Sequence, residues 1–400
     1  MIVIFLGHLP DEYRQRYLPG LALLLEANLH VFTSGFIVIS GYLFGYSRHG
    51  QVTQFRPFLL KRILQIYPLY LATYLAILMQ ELLKGNPVPW KVVPIELTLL
   101  QSILFFLPKQ DFLMFPIWTA SVLILCYALF PWLSKRLDRL GNRQLLLLLL
   151  SIWVGYVVAD IGFLKLMLAW PRHVLLLDLV QHISFPFRLW EFVAGVALAI
   201  LVRRNPWLVA WGPAGTVRFL LVLAGFTGVV CLTDAGSHPA ITALVPHYRE
   251  WRCAYLPLLL ALTLAASFKP SQGRVTRFLD AAGGASMAFY IVGGAVFTAV
   301  FLRVNRYFDL GTVKHGAIAW ELERLGGRRV ISPSELIFHQ YPGPFLLAVE
   351  IALLVLLSFQ LYWKAVVPVS NWLYLRLTRK YAGRRGAGTS DATVGPVRRT

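Results

Sequence analysis

Acidic residues are scarce in this chain. Asp and Glu together number 19 against 38 Lys and Arg, and charged residues of both signs make up only 14% of the 400 positions. A soluble domain carries about 25% charge, so this composition excludes an ordinary water-facing fold. Cysteine is nearly absent, with three residues, which excludes a disulfide-knitted secreted scaffold. Cys126 sits in an apolar run; Cys231 and Cys253 fall near the outer ends of neighbouring expected helices. A disulfide between those two is geometrically open, and small buried apolar side chains are the simpler reading. Metal-ligand spacing is missing too: His8, His30, His49 and His182 do not combine with Cys or acids into a zinc set. There is no glycine-rich phosphate loop, and Ser34-Gly35 and Ser40-Gly41 are not in the pattern of a nucleophile elbow. Met1–Leu9 is apolar but has no basic start and no small-residue cleavage site, so it does not read as a signal peptide. No internal repeat suggests inverted halves.

What is present is apolar sequence. Hydrophobic residues make up 57% of the chain, and the mean hydropathy is +0.62. The apolar residues fall into runs at 29–46, 62–83, 115–134, 144–162, 186–202, 217–234, 254–268, 281–302 and 344–367. Most are near the ~20 residues that a helix needs to cross ~30 Å of hydrocarbon. Two more apolar runs, Glu96–Leu107 and Leu166–Val180, carry polar interruptions and are expected at the interface or re-entering it. Met1–Leu9 covers about half a bilayer, so the chain is expected to begin inside its first helix. The expected fold is all-α: a polytopic integral membrane protein of about ten transmembrane helices with the first one truncated.

Charge then orients the chain. The loops 47–62, 135–143, 203–218 and 269–280, with the tail from Lys364, hold most of the Lys and Arg with only three acids, Asp138, Asp280 and Asp391. The positive-inside rule places this set, and the C-terminus, in the cytoplasm. The net charge of +19 is thereby explained by the lipid bilayer, and no nucleic acid partner is required. The tail is Gly/Arg-rich and is expected to be disordered near anionic headgroups. The polar insert Arg303–Pro342 is expected to face outward as a lid or substrate-contacting loop.

Several segments together resemble the membrane acyltransferase-3 family. Phe32–Tyr46 ends in Ser40-Gly41-Tyr42-Leu43, similar to the family's second helix. Phe58–Tyr70, FLLKRILQIYPLY, is similar to its basic stretch before a Tyr-Pro pair. Trp118–Pro131 resembles its Trp-Ser-Leu…Tyr…Pro segment. Phe185–Gly195, FPFRLWEFVAG, resembles its Arg-Leu-x-Glu-Phe-x-x-Gly helix, and Gly284–Tyr290, with Ser286, its Gly-x-x-Ser-x-x-x-Tyr helix. The last helix, followed by Pro368 and Trp372, is in register as well.

The resemblance implies an acyltransferase-3-like transmembrane domain over 1–375 and a basic cytoplasmic tail over 376–400. It implies transfer of an acyl group, usually acetyl, from acyl-CoA to a hydroxyl of a surface or secreted glycan, or of a lipid-linked precursor, without a metal. It implies a multi-pass protein of a bacterial inner membrane, working near polysaccharide-assembly proteins. His8 occupies the position of the family's general base, and Arg62 that of the first of two donor-associated Arg. Arg56 and Lys61 lie where the CoA phosphates would arrive. Glu350, an intramembrane acid in the last helix, is a second catalytic candidate. Trp118, Arg188 and Glu191 are candidates for the acceptor side.

Each of these residues also has a structural reading. His8 can be an interfacial His, and Lys61 and Arg62 can be snorkelling anchors. Arg188 and Glu191, three apart on a helix, can neutralise each other. Trp118 can belong to an aromatic belt. Ser40, Gly41, Gly195 and Gly284 read first as close-packing positions. The chain also departs from the family pattern. An Arg about eleven positions before His8 would precede Met1. The second donor Arg is Gln65, the acid after the Trp-Ser-Leu segment is Leu123 or Ile124, the helical His is Gly293, and the acid before the last Pro is Val366 or Val367. A catalytically inactive member, and a transporter or flippase partner in polysaccharide assembly, remain open as alternatives.

Overall fold

In this computed structural model the described residues are 19–47, 55–83, 85, 88–104, 112–114, 117–170, 180, 183–208, 256–257, 259–261, 263, 285–294 and 344–385. Their regular structure is helical, with no strand among them. The helices are α1 (Pro19–Ser47), α2 (Phe55–Leu83), the five-residue α3 (Val93–Leu97), α4 (Trp118–Leu137), α5 (Asn142–Ala169), α6 (Phe185–Arg204), α7 (Ala285–Gly294), α8 (Pro344–Leu361) and α9 (Val367–Arg385). A π-turn, Tyr362–Val366, joins α8 to α9. Among the described residues, five helices are long and apolar enough to cross a membrane. Residues 1–18, the expected span 217–234, most of 254–268 and the insert 303–342 lie outside the described residues.

Helix boundaries differ from expectation at several places, α5 among them: expected over 144–162, it runs from Asn142 to Ala169. α1 starts at Pro19 rather than at 29, because the Leu- and Ala-rich stretch that follows has high helix propensity. Its 29 residues cover ~43 Å, more than the hydrocarbon requires. α2 starts at Phe55 rather than 62, with Pro57 tolerated in its first turn. The last helix, expected over 344–367, passes Pro368 and runs to Arg385. Proline supplies no N–H and its ring crowds the carbonyl four residues back. The wider π-turn just before it, closed by the Val367 N–H donating to the Tyr362 carbonyl, accommodates that ring. The segment 93–104 forms a short helix and turns rather than a span, as its polar interruptions suggested.

α6 is the centre of the bundle. In its most apolar stretch 72% of residues are buried, against 22% in α5 and 17% in the last helix. α5 turns Leu146, Leu147, Leu150, Val154 and Val158 outward, the face that a lipid-contacting helix presents. α1 packs along α6 more extensively than any other described pair. The two backbones touch. A Cβ at Gly41 would collide with the Phe192 carbonyl, and one at Gly195 with the Val38 carbonyl oxygen; one at Gly45 would sit 2.8 Å from Ala199 Cβ. Gly41-x-x-x-Gly45 and Gly195-x-x-x-Ala199 are therefore facing small-residue stripes. Gly284 lies outside the described residues.

The helix ends sort by charge. The C-terminal ends of α1, α4 and α6 and the N-terminal ends of α2 and α5 share one end of the bundle, which carries Arg56, Lys61, Lys135, Arg136, Arg139, Arg143 and Arg203. Arg204 fastens it: its Nη1 donates to the Leu140 carbonyl at 2.5 Å and its Nη2 to the Asp138 carbonyl at 2.6 Å.

Gly195→Ala is expected to destabilise the protein by about 1–3 kcal/mol through overpacking at the backbone contact. Gly155→Ala, with no heavy atom within 4 Å of its new Cβ, is expected to be neutral or stabilising by up to ~1 kcal/mol. Thermal unfolding of the two purified variants in one detergent checks the contrast.

Candidate active site

Polar side chains gather in three places, separated along the helix axes. The first lies toward the end of the bundle away from the basic loops. Arg188 and Glu191 share a face of α6, three residues apart. Arg188 Nη1 donates to Glu191 Oε1 at 2.8 Å and to Ser34 Oγ at 2.7 Å, and the Ser34 hydroxyl donates to Glu191 Oε1 at 2.8 Å. Arg188 is 0% exposed and Glu191 3%. The guanidinium also lies over the Trp118 ring, 5.2 Å from its centroid. Three sequence-predicted residues, Arg188, Glu191 and Trp118, thus come together. Trp118 is buried and engaged by Arg188. Ser34, which links them, was not predicted. Its signal was available: Ser34, Val38, Gly41 and Gly45 recur at helical spacing on the face of α1 that meets α6.

The second cluster surrounds Arg62, nearer the basic end. Phe44 and Ser34 are ten residues apart on α1, so the two clusters are separated by ~15 Å along the helix. The Arg62 guanidinium stands 4.5 Å from the Phe44 centroid and 5.8 Å from that of Phe58. Its Nη1 donates to Gln65 Oε1 at 2.8 Å. Phe44 stacks on Tyr127 with centroids 4.6 Å apart and meets Phe130 edge-on at 5.5 Å. A guanidinium held against rings keeps its plane fixed and its donors directed. The three expected donor residues do not converge at one point. Lys61 reaches Tyr374 of α9, with Nζ 6.0 Å from the ring centroid, and Arg56 is exposed on the first turn of α2.

The third cluster caps the end opposite the basic loops, and sequence reading gave it no role. Glu96 of α3 is 0% exposed. Its carboxylate accepts the N–H groups of Leu113 at 3.1 Å and Met114 at 2.7 Å and the Tyr74 hydroxyl at 3.3 Å. Tyr70 donates to the Glu96 carbonyl and Tyr67 to that of Leu97. Leu99 is held at φ 54°, a left-handed value that is costly for leucine. The Ser121 hydroxyl holds its carbonyl at 2.6 Å. The periodic Tyr67, Tyr70 and Tyr74 on one face of α2 were the legible sign that something polar docks there.

Other candidates fall elsewhere. His8 lies outside the described residues. Glu350 is within α8, but its side chain is outside them. Cys126 is buried with a free thiol, and Cys231 and Cys253 are outside the described residues. Tyr290 of α7 hydrogen-bonds with Thr119 of α4. No metal-holding group of His, Cys, Asp or Glu occurs among the described residues.

Residues 1–313 match the family described as Acyltransferase domain, and that stretch contains all three clusters. The chain belongs to the acyltransferase-3 family. It is an integral membrane acyltransferase that moves groups other than aminoacyl groups. The chain is similar to acyltransferase MdmB of Streptomyces mycarofaciens, at 26% identity over 66% of this chain and 69% of the relative. No solved structure matches it.

In this acyltransferase the Arg188–Glu191 pair is a buried charge couple whose members depend on each other. Arg188→Ala leaves a buried carboxylate and is expected to cost about 3–5 kcal/mol. Replacing both, Arg188→Met with Glu191→Leu, is expected to restore most of that stability. Unfolding curves of the single and double variants decide the matter.

Proposed function

We propose that the chain is an O-acyltransferase that moves an acyl group, acetyl in the first instance, from acyl-CoA to a hydroxyl of a cell-surface or secreted glycan. The observation that carries this reading is the family match over residues 1–313, supported by the cationic side chains at one end of the bundle. Coenzyme A brings several phosphate charges. Arg62 offers a planar fork of donors held against aromatic rings, and Lys61 and Arg56 add positive charge elsewhere on the same end of α2. On the positive-inside rule this end faces the cytoplasm of a bacterium, where acyl-CoA is found, and the C-terminal helix ends on the same side. The acceptor approaches from the opposite end, where Trp118, Arg188 and Glu191 fix α1, α4 and α6 against one another.

His8 is the general base in this reading, on the strength of the family pattern. The acceptor oxygen attacks the thioester carbonyl as the imidazole takes the hydroxyl proton. A C–O bond forms, the C–S bond breaks, and the proton passes to the departing thiolate. Glu350 is assigned the secondary task of orienting or charging the imidazole.

Transfer from labelled acetyl-CoA to envelope glycans, in membranes carrying the chain, tests the reading. His8→Ala is expected to reduce label by ~10²–10⁴-fold. Arg62→Ala is expected to raise the donor KM by roughly 10–100-fold, the loss of a hydrogen bond to a charged group. A parent chain that places no label in glycan contradicts the reading and favours an inert family member or a flippase partner in polysaccharide assembly.

A further inference from the structure

Three buried polar groups at the end of the bundle away from the basic loops have no hydrogen-bond partner among the described residues. They are the side-chain amide of Gln101, the Ser184 hydroxyl and Glu191 Oε2. Their residues are 3%, 1% and 3% exposed. An orphaned buried polar group costs about 1–3 kcal/mol, and folded proteins hold few of them. Here Gln101 and Ser184 meet at one junction, and Glu191 follows seven residues along α6, about 10 Å up the helix. The Phe185 N–H donates to the Ser102 carbonyl at 2.9 Å, which brings the residues next to each, Ser184 and Gln101, to one junction between the cap and the start of α6. Ser184, Arg188 and Glu191 then follow at i, i+4 and i+7 along one face of α6.

Local chemistry does not use these groups. Ser184 is the N-cap of α6, the position where serine normally caps, yet its hydroxyl makes no cap bond. Pro186 in the first turn has no N–H to receive it. Gln101 lies beside Tyr70, whose hydroxyl donates to the Glu96 carbonyl at 2.7 Å. Glu191 commits Oε1 to Arg188 and Ser34 and leaves Oε2 over.

We propose that Gln101, Ser184 and Glu191 form an acceptor subsite that binds the hydroxyls of a glycan, a role that rests on the glycan-acceptor reading above. A sugar hydroxyl both donates and accepts. The set supplies two donors and an acceptor from the amide, a reversible hydroxyl, and a carboxylate oxygen that only accepts. Arg188 neutralises Glu191, so the set offers hydrogen-bonding atoms rather than net charge, and the match is to neutral hydroxyls. The subsite sits at the end opposite Arg62, which keeps the two substrates apart until they meet within the bundle.

The test uses the full chain in lipid nanodiscs and a panel of methyl glycosides, namely the glucoside, galactoside, mannoside and N-acetylglucosaminide. Saturation-transfer NMR reads binding without acyl-CoA, and labelled acetyl transfer gives the acceptor and donor KM separately. Gln101→Met and Ser184→Ala are each expected to weaken glycoside binding and raise the acceptor KM by roughly 3–10-fold. The donor KM is expected to stay unchanged. Both variants are expected to melt at or above the parent temperature, because an orphaned polar group has been removed. Unchanged glycoside binding in both variants overturns the subsite, and so does a fall in melting temperature, which marks groups satisfied within the fold. A parent chain that binds glycosides through these residues but transfers no acetyl leaves the subsite standing and contradicts the proposed function. A parent that neither binds nor transfers overturns both.

Discussion

The contact between the backbones of α1 and α6 holds the Ser34, Arg188 and Glu191 cluster together and sets the height at which Phe44 stands. Lipid offers no hydrophobic drive to press two apolar helices together, so close packing must supply the attraction. Gly41, Gly45, Gly195 and Ala199 let the helices approach until main-chain atoms meet. From that crossing, Ser34 projects at one height to meet Arg188 and Glu191, and Phe44 at another to meet Arg62. Moving α6 past α1 by a single turn would part Ser34 from Arg188 and Glu191. The apolar framework and the polar chemistry are thus one construction, and the crossing explains why they are found in the same few segments.

Charge burial is arranged differently at the two ends. Near the cap, Arg188 and Glu191 neutralise each other in full burial, with the Ser34 hydroxyl and the Trp118 ring as further neighbours. Such a pair contributes little net stability but penalises any arrangement that separates its members. Near the basic end, Arg62 lies against the Phe44 and Phe58 rings and donates to the Gln65 amide oxygen.

Much of this was readable in the residues. Long apolar runs located α4 and α6 to within a few positions, and α2 and α5 with one end seven residues short, because twenty residues of hydrocarbon-compatible sequence have few other uses. Gly41 and Gly195 were recognised as packing positions, and the spacing of Arg188 and Glu191 announced an ion pair. Other features were hidden for physical reasons. The start of α1 at Pro19 depends on helix propensity outside the membrane, where hydropathy is silent. The passage of the last helix through Pro368 depends on a π-turn, which no periodicity reveals. Glu96 is buried by partners at 70, 74, 113 and 114, distances in sequence at which a lone acid in an apolar run looks interfacial. Gln101 and Ser184 carry no sequence signal at all, since what marks them is the lack of a partner in three dimensions.

Sidedness tests the account most directly. Sealed vesicles with the basic end facing out and vesicles with it facing in are each given labelled acetyl-CoA in the external medium only. The account predicts glycan label when the basic end faces the donor and background label in the other orientation. Equal labelling from both faces, or labelling only from the capped face, would contradict it.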